Sequence, residues 1–76
     1  MKELVEYVVK ALADHPEDVV LIEHDSEETV LLELKIASDD LGKIIGKNGN
    51  TINAIRTILQ AAASSQKKRA KLDVMS

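Results

Sequence analysis

Two glycines separated by two polar residues, Gly46-Lys47-Asn48-Gly49, interrupt a helical pattern in the second half of the chain. Apolar residues at helical spacing lie on both sides of this segment. Glycine adopts backbone conformations that other residues avoid, and it lets a second backbone approach closely because it has no Cβ. The segment therefore predicts a tight connection between two helices rather than one continuous helix.

The first half of the chain predicts one helix followed by two strands. Apolar residues recur at three- and four-residue spacing over 4–12, and His15-Pro16 ends this helix because the residue before proline avoids helical geometry. A β-branched run at 19–22 predicts a strand, residues 25–28 a polar turn, and residues 29–37 a second strand. One face of that second strand is apolar, through Val30, Leu32, Leu34 and Ile36.

The second half predicts a short helix, a longer helix and a last strand. Ser38 is a candidate cap of the short helix, and Asp39 and Asp40 suit the positive end of its dipole. Asn50 or Thr51 is expected to cap the longer helix. The predicted buried stripe of the longer helix consists of Ile52, Ile55, Ile58, Leu59 and Ala62.

A polar loop at 64–69 and an alternating strand at 70–74, with Leu72 and Val74 inward, complete the pattern. The order α-β-β-α-α-β predicts a two-layer α+β fold, and 76 residues are expected to form a single domain, 1–76. The absence of cysteine excludes disulfides and cysteine-ligated metals. No apolar run approaches the roughly 20 residues of a membrane span, and residues 1–4 do not open a signal peptide, so we expect a cytoplasmic protein.

Charge is distributed unevenly along the chain. Residues 1–40 contain twelve acidic and three basic side chains, whereas residues 41–76 contain seven basic side chains and a single acid, Asp73. This asymmetry suggests a polyanionic partner for the second half; mutual attraction of the halves and a solvated charged face are the alternatives. Tyr7 is the only aromatic residue, which disfavours nucleic-acid modules that stack bases on aromatic side chains.

The glycine-bracketed segment carries the chemistry. The helix after it directs free amide hydrogens and a positive dipole towards the loop, an arrangement that favours phosphate, and Lys47 adds a positive charge. The spacing of Gly42 and Gly46 does not fit a P-loop, and the GxGxxG dinucleotide fingerprint is absent. No catalytic constellation and no metal-ligand spacing is present, so we expect neither an enzyme nor a cofactor. A purely structural turn between helices is the simpler alternative.

Residues 42–56 resemble the core signature of KH domains, which bind single-stranded RNA and clamp four nucleotides at a GxxG loop. The element order is similar to the type II arrangement, with a three-stranded mixed sheet covered on one face by helices. Over essentially the whole chain, the sequence resembles the small bacterial single-KH proteins of the KhpA (YlqC-like) family. The resemblance implies a non-catalytic RNA-binding protein, an RNA chaperone or post-transcriptional regulator linked to cell shape and division.

The resemblance also implies residue roles. Gly46 and Gly49 would form the loop, with Lys47 and Asn48 at its tip beside the phosphates. The candidate RNA-binding residues are Gly46, Lys47, Asn48, Gly49, Asn50, Thr51, Lys43, Ile45, Ile52, Arg56 and Ile36. Ile44 and Ile55 join the isoleucines of this set as candidates for an apolar groove floor, although a core role is the simpler assignment for each. The basic segment 67–71 either extends the phosphate path or is a solvated loop.

The small size of the domain indicates that it acts together with a partner. One small acidic module with few phosphate contacts is expected to bind RNA weakly, so useful affinity needs a second copy or a second RNA-binding protein. The resemblance implies self-association or pairing with a larger Jag-like KH protein, and no small-molecule substrate. Two further hypotheses remain open, namely a protein-interaction module that uses the acidic N-terminal half and a ribosome-assembly factor that acts within a particle.

Overall fold

The computed structural model describes residues 1–76 and contains three α-helices and three strands, with short 3₁₀ segments between them. They are helix α1 Lys2–Leu12, strand β1 Val20–Asp25, strand β2 Thr29–Lys35, helix α2 Leu41–Ile45, helix α3 Asn50–Ser65 and strand β3 Arg69–Met75. This is the predicted order α-β-β-α-α-β, and it confirms the predicted fold class. None of the helices is long and apolar enough to cross a membrane.

The three strands form one mixed sheet in the order β1-β2-β3. Strand β2 pairs antiparallel with β1, with Val20 opposite Lys35, and parallel with β3, with Thr29 opposite Arg69. The parallel pairing requires a long crossover, which α2 and α3 supply. Because the strand order is β1-β2-β3, β3 lies at an edge of the sheet, and α3 packs beside it.

The core lies between the sheet and the helices. The alternation predicted for β2 is confirmed, because Val30, Leu32 and Leu34 are buried and Ile36 follows them into the core. The opposite sheet face has no helix over it and carries partly or fully exposed side chains, including Ile22, which is 51% exposed. The fold is therefore two layers thick, with one face of the sheet open.

Helix α3 differs from its predicted boundaries and stripe. It continues to Ser65, so part of the predicted polar loop is helical. Its buried residues are Ile52, Ile55, Leu59 and Ala63. Ile58 is instead 50% exposed, which makes the prediction that it is buried wrong. A 100° advance per residue carries position 58 away from the stripe formed by 52, 55, 59 and 63.

Asp40 has a different role from the one its sequence position indicated. Its carboxylate is fully buried and accepts the backbone N–H groups of Asp14 and His15, each at 2.9 Å. Burial alone would raise the pKa of Asp40, but these two donors, aided by the charges of His15 and Lys43, hold that pKa below its ordinary value. Asp40 therefore fastens the turn after α1 to the start of α2, a role that its position at a helix start did not indicate.

Candidate nucleic-acid interface

The glycine-bracketed loop is one tight turn, Gly46–Gly49, between α2 and α3. Three of its residues have positive φ: Gly46 at 78°, Asn48 at 56° and Gly49 at 76°. The Gly49 N–H donates to the Gly46 carbonyl at 3.1 Å and closes the turn. The predicted tight connection between two helices is confirmed, and glycine or asparagine occupies each position that needs a left-handed backbone.

The tip of the loop is open to solvent. Lys47 and Asn48 are exposed. None of the ion pairs within the protein includes Lys47, and neither side chain forms a hydrogen bond in the fold. A cation and an amide are thus left available for a ligand at the junction of the two helices.

The start of α3 lacks the predicted side-chain cap. Gly49 occupies the N-cap position, and no side chain hydrogen-bonds the first turn. Asn50 is exposed, whereas Thr51 packs against Gly46, where an added Cβ would lie 2.2 Å from the Thr51 Oγ1. The capping prediction for Asn50 and Thr51 is therefore wrong, and the positive end of the α3 dipole meets the loop without a competing side chain.

An open groove of about 520 Å³ runs between α3 and the free edge of β3. Both elements contribute polar side chains to it, and its lining comprises Asn53, Arg56, Thr57, Leu59, Gln60, Ala70, Lys71, Leu72 and Asp73. Since α3 begins at the loop, the groove leads away from Gly46–Gly49 along the helix. A Cβ at Gly49 would lie 3.6 Å from the Nδ2 of Asn53, a residue of the groove lining, so the groove begins beside the loop.

Two side chains of α3 already bridge the groove to the edge of β3. The Arg56 Nη2 donates to the Leu72 carbonyl at 3.1 Å, and the Ala70 N–H donates to the Gln60 Oε1, also at 3.1 Å. A guanidinium has five N–H donors, so Arg56 keeps further donors for a ligand while this contact orients it. Arg56 thus lies in the groove lining, and its role in RNA binding stays a prediction.

The structure does not bring all of the candidate residues together. Ile36 and Ile52 are each 3% exposed and, like Ile44 and Ile55, belong to the core rather than to the groove lining. Ile45 packs against the core with partial exposure. The groove therefore has a more polar wall than the predicted apolar floor.

Lys43 does not belong to the groove lining. Its Nζ donates to Asp14 Oδ2 at 2.7 Å, in the turn that follows α1. This hydrogen bond raises the pKa of Lys43 above its ordinary value. Lys43 therefore already has a partner in the fold. Lys47, at the tip of the loop, forms no ion pair.

The sequence did not single out Asn53, Thr57 and Gln60 as site residues. The signal for them is present, because positions 53, 56, 57 and 60 have the i, i+3, i+4, i+7 spacing of one helix face, and all four are polar. On β3 no comparable signal exists, since only the sheet order reveals that this strand is an edge.

A family model described as KhpA/KhpB, KH domain, matches residues 2–74. The chain belongs to this family. Proteins similar to it include "RNA-binding protein KhpA" of Halalkalibacterium halodurans, 48% identical over 99% of both chains. The same name is borne by a protein of Clostridium perfringens, 47% identical over 99% of this chain and 100% of the relative, and one of Chlamydia trachomatis, 48% identical over 99% and 96%. No solved structure matches the chain.

Proposed function

We propose that this protein binds single-stranded RNA without catalysing a reaction, and that it holds about four nucleotides across the Gly46–Gly49 loop and the groove between α3 and β3. The observation that carries the proposal is the unpaired, exposed tip of the loop at a helix start without a side-chain cap, next to the groove. The names of the similar proteins support it. RNA as the ligand fits the expected cytoplasmic location.

Each part of the surface has a proposed task. Lys47 and the first amides of α3 face phosphate, and Asn48 hydrogen-bonds the sugar–phosphate backbone. Arg56, Asn53 and Gln60 contact bases or phosphates that enter the groove. Few cations are involved, so binding is expected to be weak and sensitive to salt, which suits an RNA chaperone or post-transcriptional regulator.

A double variant of the loop tip, Lys47→Asp with Asn48→Asp, tests the proposal. We expect it to keep its circular dichroism spectrum and to lose binding to mixed-sequence single-stranded RNA in a low-salt shift assay. The control is Lys2→Glu with Ala11→Glu, which changes the net charge equally on α1, away from the groove. Undiminished RNA binding by the loop variant would contradict the loop assignment.

We further propose that the protein works in pairs, with a second copy of the chain or a Jag-like KH protein as the partner. The support is an apolar cleft between α1 and α3, lined entirely by Leu4, Val5, Val8, Ile55 and Ile58. Leu4 and Ile58 are 41% and 50% exposed, and on α1 Tyr7 is 74% exposed. This cleft lies on the other flank of α3 from the groove, so two copies can meet there and both grooves stay open.

A further inference from the structure

The turn that ends α3 places a lysine where glycine is preferred. The Lys68 N–H returns to the Ala63 carbonyl at 2.9 Å and the Lys67 N–H to the Ser64 carbonyl at 3.0 Å, which together form a Schellman motif. Lys67 is the left-handed residue of this motif, with φ at 59°. In this conformation a residue with a Cβ is less stable than glycine. The turn by itself therefore does not explain why a lysine stands here.

The four basic side chains of residues 67–71 divide into two groups. Lys68 is structural, because its Nζ lies 2.6 Å from Asp25 Oδ1 and ties the turn to the end of β1. Lys67, Arg69 and Lys71 form no ion pair within the fold. Three positive charges without a partner in the fold are thus held on the turn that ends α3 and on the first residues of β3.

The unpaired charges continue the RNA surface. Lys67 and Arg69 line a second open concavity together with Glu28 and Thr29. Arg69 directly precedes Ala70 and Lys71, which line the far end of the groove. The Arg69 N–H donates to the Glu28 carbonyl at 2.9 Å, which fixes this strand end. This second concavity therefore adjoins the far end of the groove, where Arg69 meets Ala70.

We propose that Lys67 and Arg69 form a second phosphate site. It binds the backbone of nucleotides that flank the four held by the loop and the groove, at either their 5′ end or their 3′ end but not at both. This inference rests on the proposed function and extends it. Glu28 is the opposing charge in this concavity, and its carboxylate favours a phosphate position towards Lys67 and Arg69. The recognised ligand is then longer than four nucleotides.

The test separates phosphates from bases. A mixed-sequence ribotetranucleotide is compared with the same pool that carries four abasic sugar phosphates at its 5′ end or at its 3′ end. Abasic extensions add negative charge but no bases, so they do not offer the groove additional positions at which to bind bases. We expect one extension only, 5′ or 3′, to tighten binding roughly threefold to tenfold at low salt, as two added phosphate contacts imply. Amide chemical-shift titration measures even weak affinities.

The variant Lys67→Gln with Arg69→Gln is expected to bind the plain tetranucleotide as the wild type does and to lose the gain from the extension. Its plot of log K against log salt concentration for the extended RNA should be shallower by about 1.4, at about 0.7 per phosphate for single strands. The control Lys2→Gln with Lys10→Gln makes the same charge change on α1 and should keep the gain.

Some outcomes overturn this inference and leave the proposed function intact. An equal gain from both extensions, no gain from either, or a gain that survives in Lys67→Gln with Arg69→Gln would each do so. Loss of tetranucleotide binding in the loop-tip variant is a separate observation and bears only on the proposed function.

The variant Lys67→Gly distinguishes a role of Lys67 in RNA binding from a purely structural role, because it changes stability and RNA binding in opposite directions. Glycine relieves the left-handed backbone, so the variant should unfold several degrees higher than the wild type. It should nevertheless lose part of the gain from the abasic extension. A more stable variant with an unchanged gain would show that Lys67 does not bind the flanking phosphates.

Discussion

Gly46 and Gly49 are required by the loop for different physical reasons. At Gly46, φ is positive and an added Cβ would lie 2.8 Å from the Thr51 backbone nitrogen, so neither the conformation nor the space admits a side chain. At Gly49, φ is also positive, but a Cβ would be 3.6 Å from Asn53 Nδ2, an ordinary contact. The spacing of the two glycines is visible in the sequence, whereas this difference depends on where Thr51 lies.

We expect Gly46→Ala to lower the free energy of unfolding by about 2 kcal/mol or more, because a strained backbone and a close contact add together. Gly42→Ala is the matched control, since a Cβ at this helical position meets nothing within 4 Å. It should raise stability by about 0.5 to 1 kcal/mol. Urea unfolding of both variants measures the difference. Equal stabilities would contradict the steric argument.

At the scale of elements, one buried carboxylate joins the turn after α1 to the start of α2. Asp40 accepts both backbone donors of the turn at Asp14 and His15, and the ion pair of Lys43 with Asp14 lies above it. The sequence placed Asp39 and Asp40 together at a helix start, with nothing to distinguish them. Only the tertiary contact separates Asp40, which is buried, from Asp39, which is exposed.

This anchor predicts a dependence of stability on pH. The pKa of Asp40 is lower in the folded protein than in the unfolded chain, so its contribution is complete above the unfolded pKa. The contribution is lost as the pH falls below about 4 and through the folded pKa. Asp40→Asn should lower the thermal midpoint by several degrees at pH 7 and flatten its decline between about pH 5 and 3.

The exposed neighbour Asp39 supplies the control for this measurement. Asp39→Asn makes the same charge change without removing a buried acceptor, so it should lower the thermal midpoint at pH 7 much less than Asp40→Asn does. If the two variants behaved alike, the anchoring role of Asp40 would be wrong.

At the scale of the whole molecule, α3 separates two surfaces. One flank meets the edge of β3 and forms the groove, and the other meets α1 and forms the apolar cleft with Ile58. The net charge of −3 conceals the same division, because the basic half contains the loop and the groove while the acidic half forms α1, β1 and β2. A pair of molecules joined through the apolar cleft would present two grooves to one RNA and raise its effective affinity.

Self-association is therefore expected to depend on Ile58. The variant Ile58→Glu should be monomeric in sedimentation velocity at micromolar concentrations at which the wild type forms dimers, because a charge in the apolar cleft opposes burial. Ile22→Glu is the matched control, since Ile22 on the open sheet face is 51% exposed against 50% for Ile58. A strictly monomeric wild type would contradict self-association. If only Ile22→Glu lost the dimer, the interface would lie on the open sheet face and not at the apolar cleft.

The sequence by itself determined the order of the elements, the buried face of β2 and the loop, because these follow from local properties: apolar period, proline, and glycines where the backbone must turn. Tertiary structure decided what depends on neighbours distant in the chain. It made β3 an edge strand and so created the groove, and it buried Asp40. Each of these rests on a contact between elements, and such contacts leave no periodic signal in the chain.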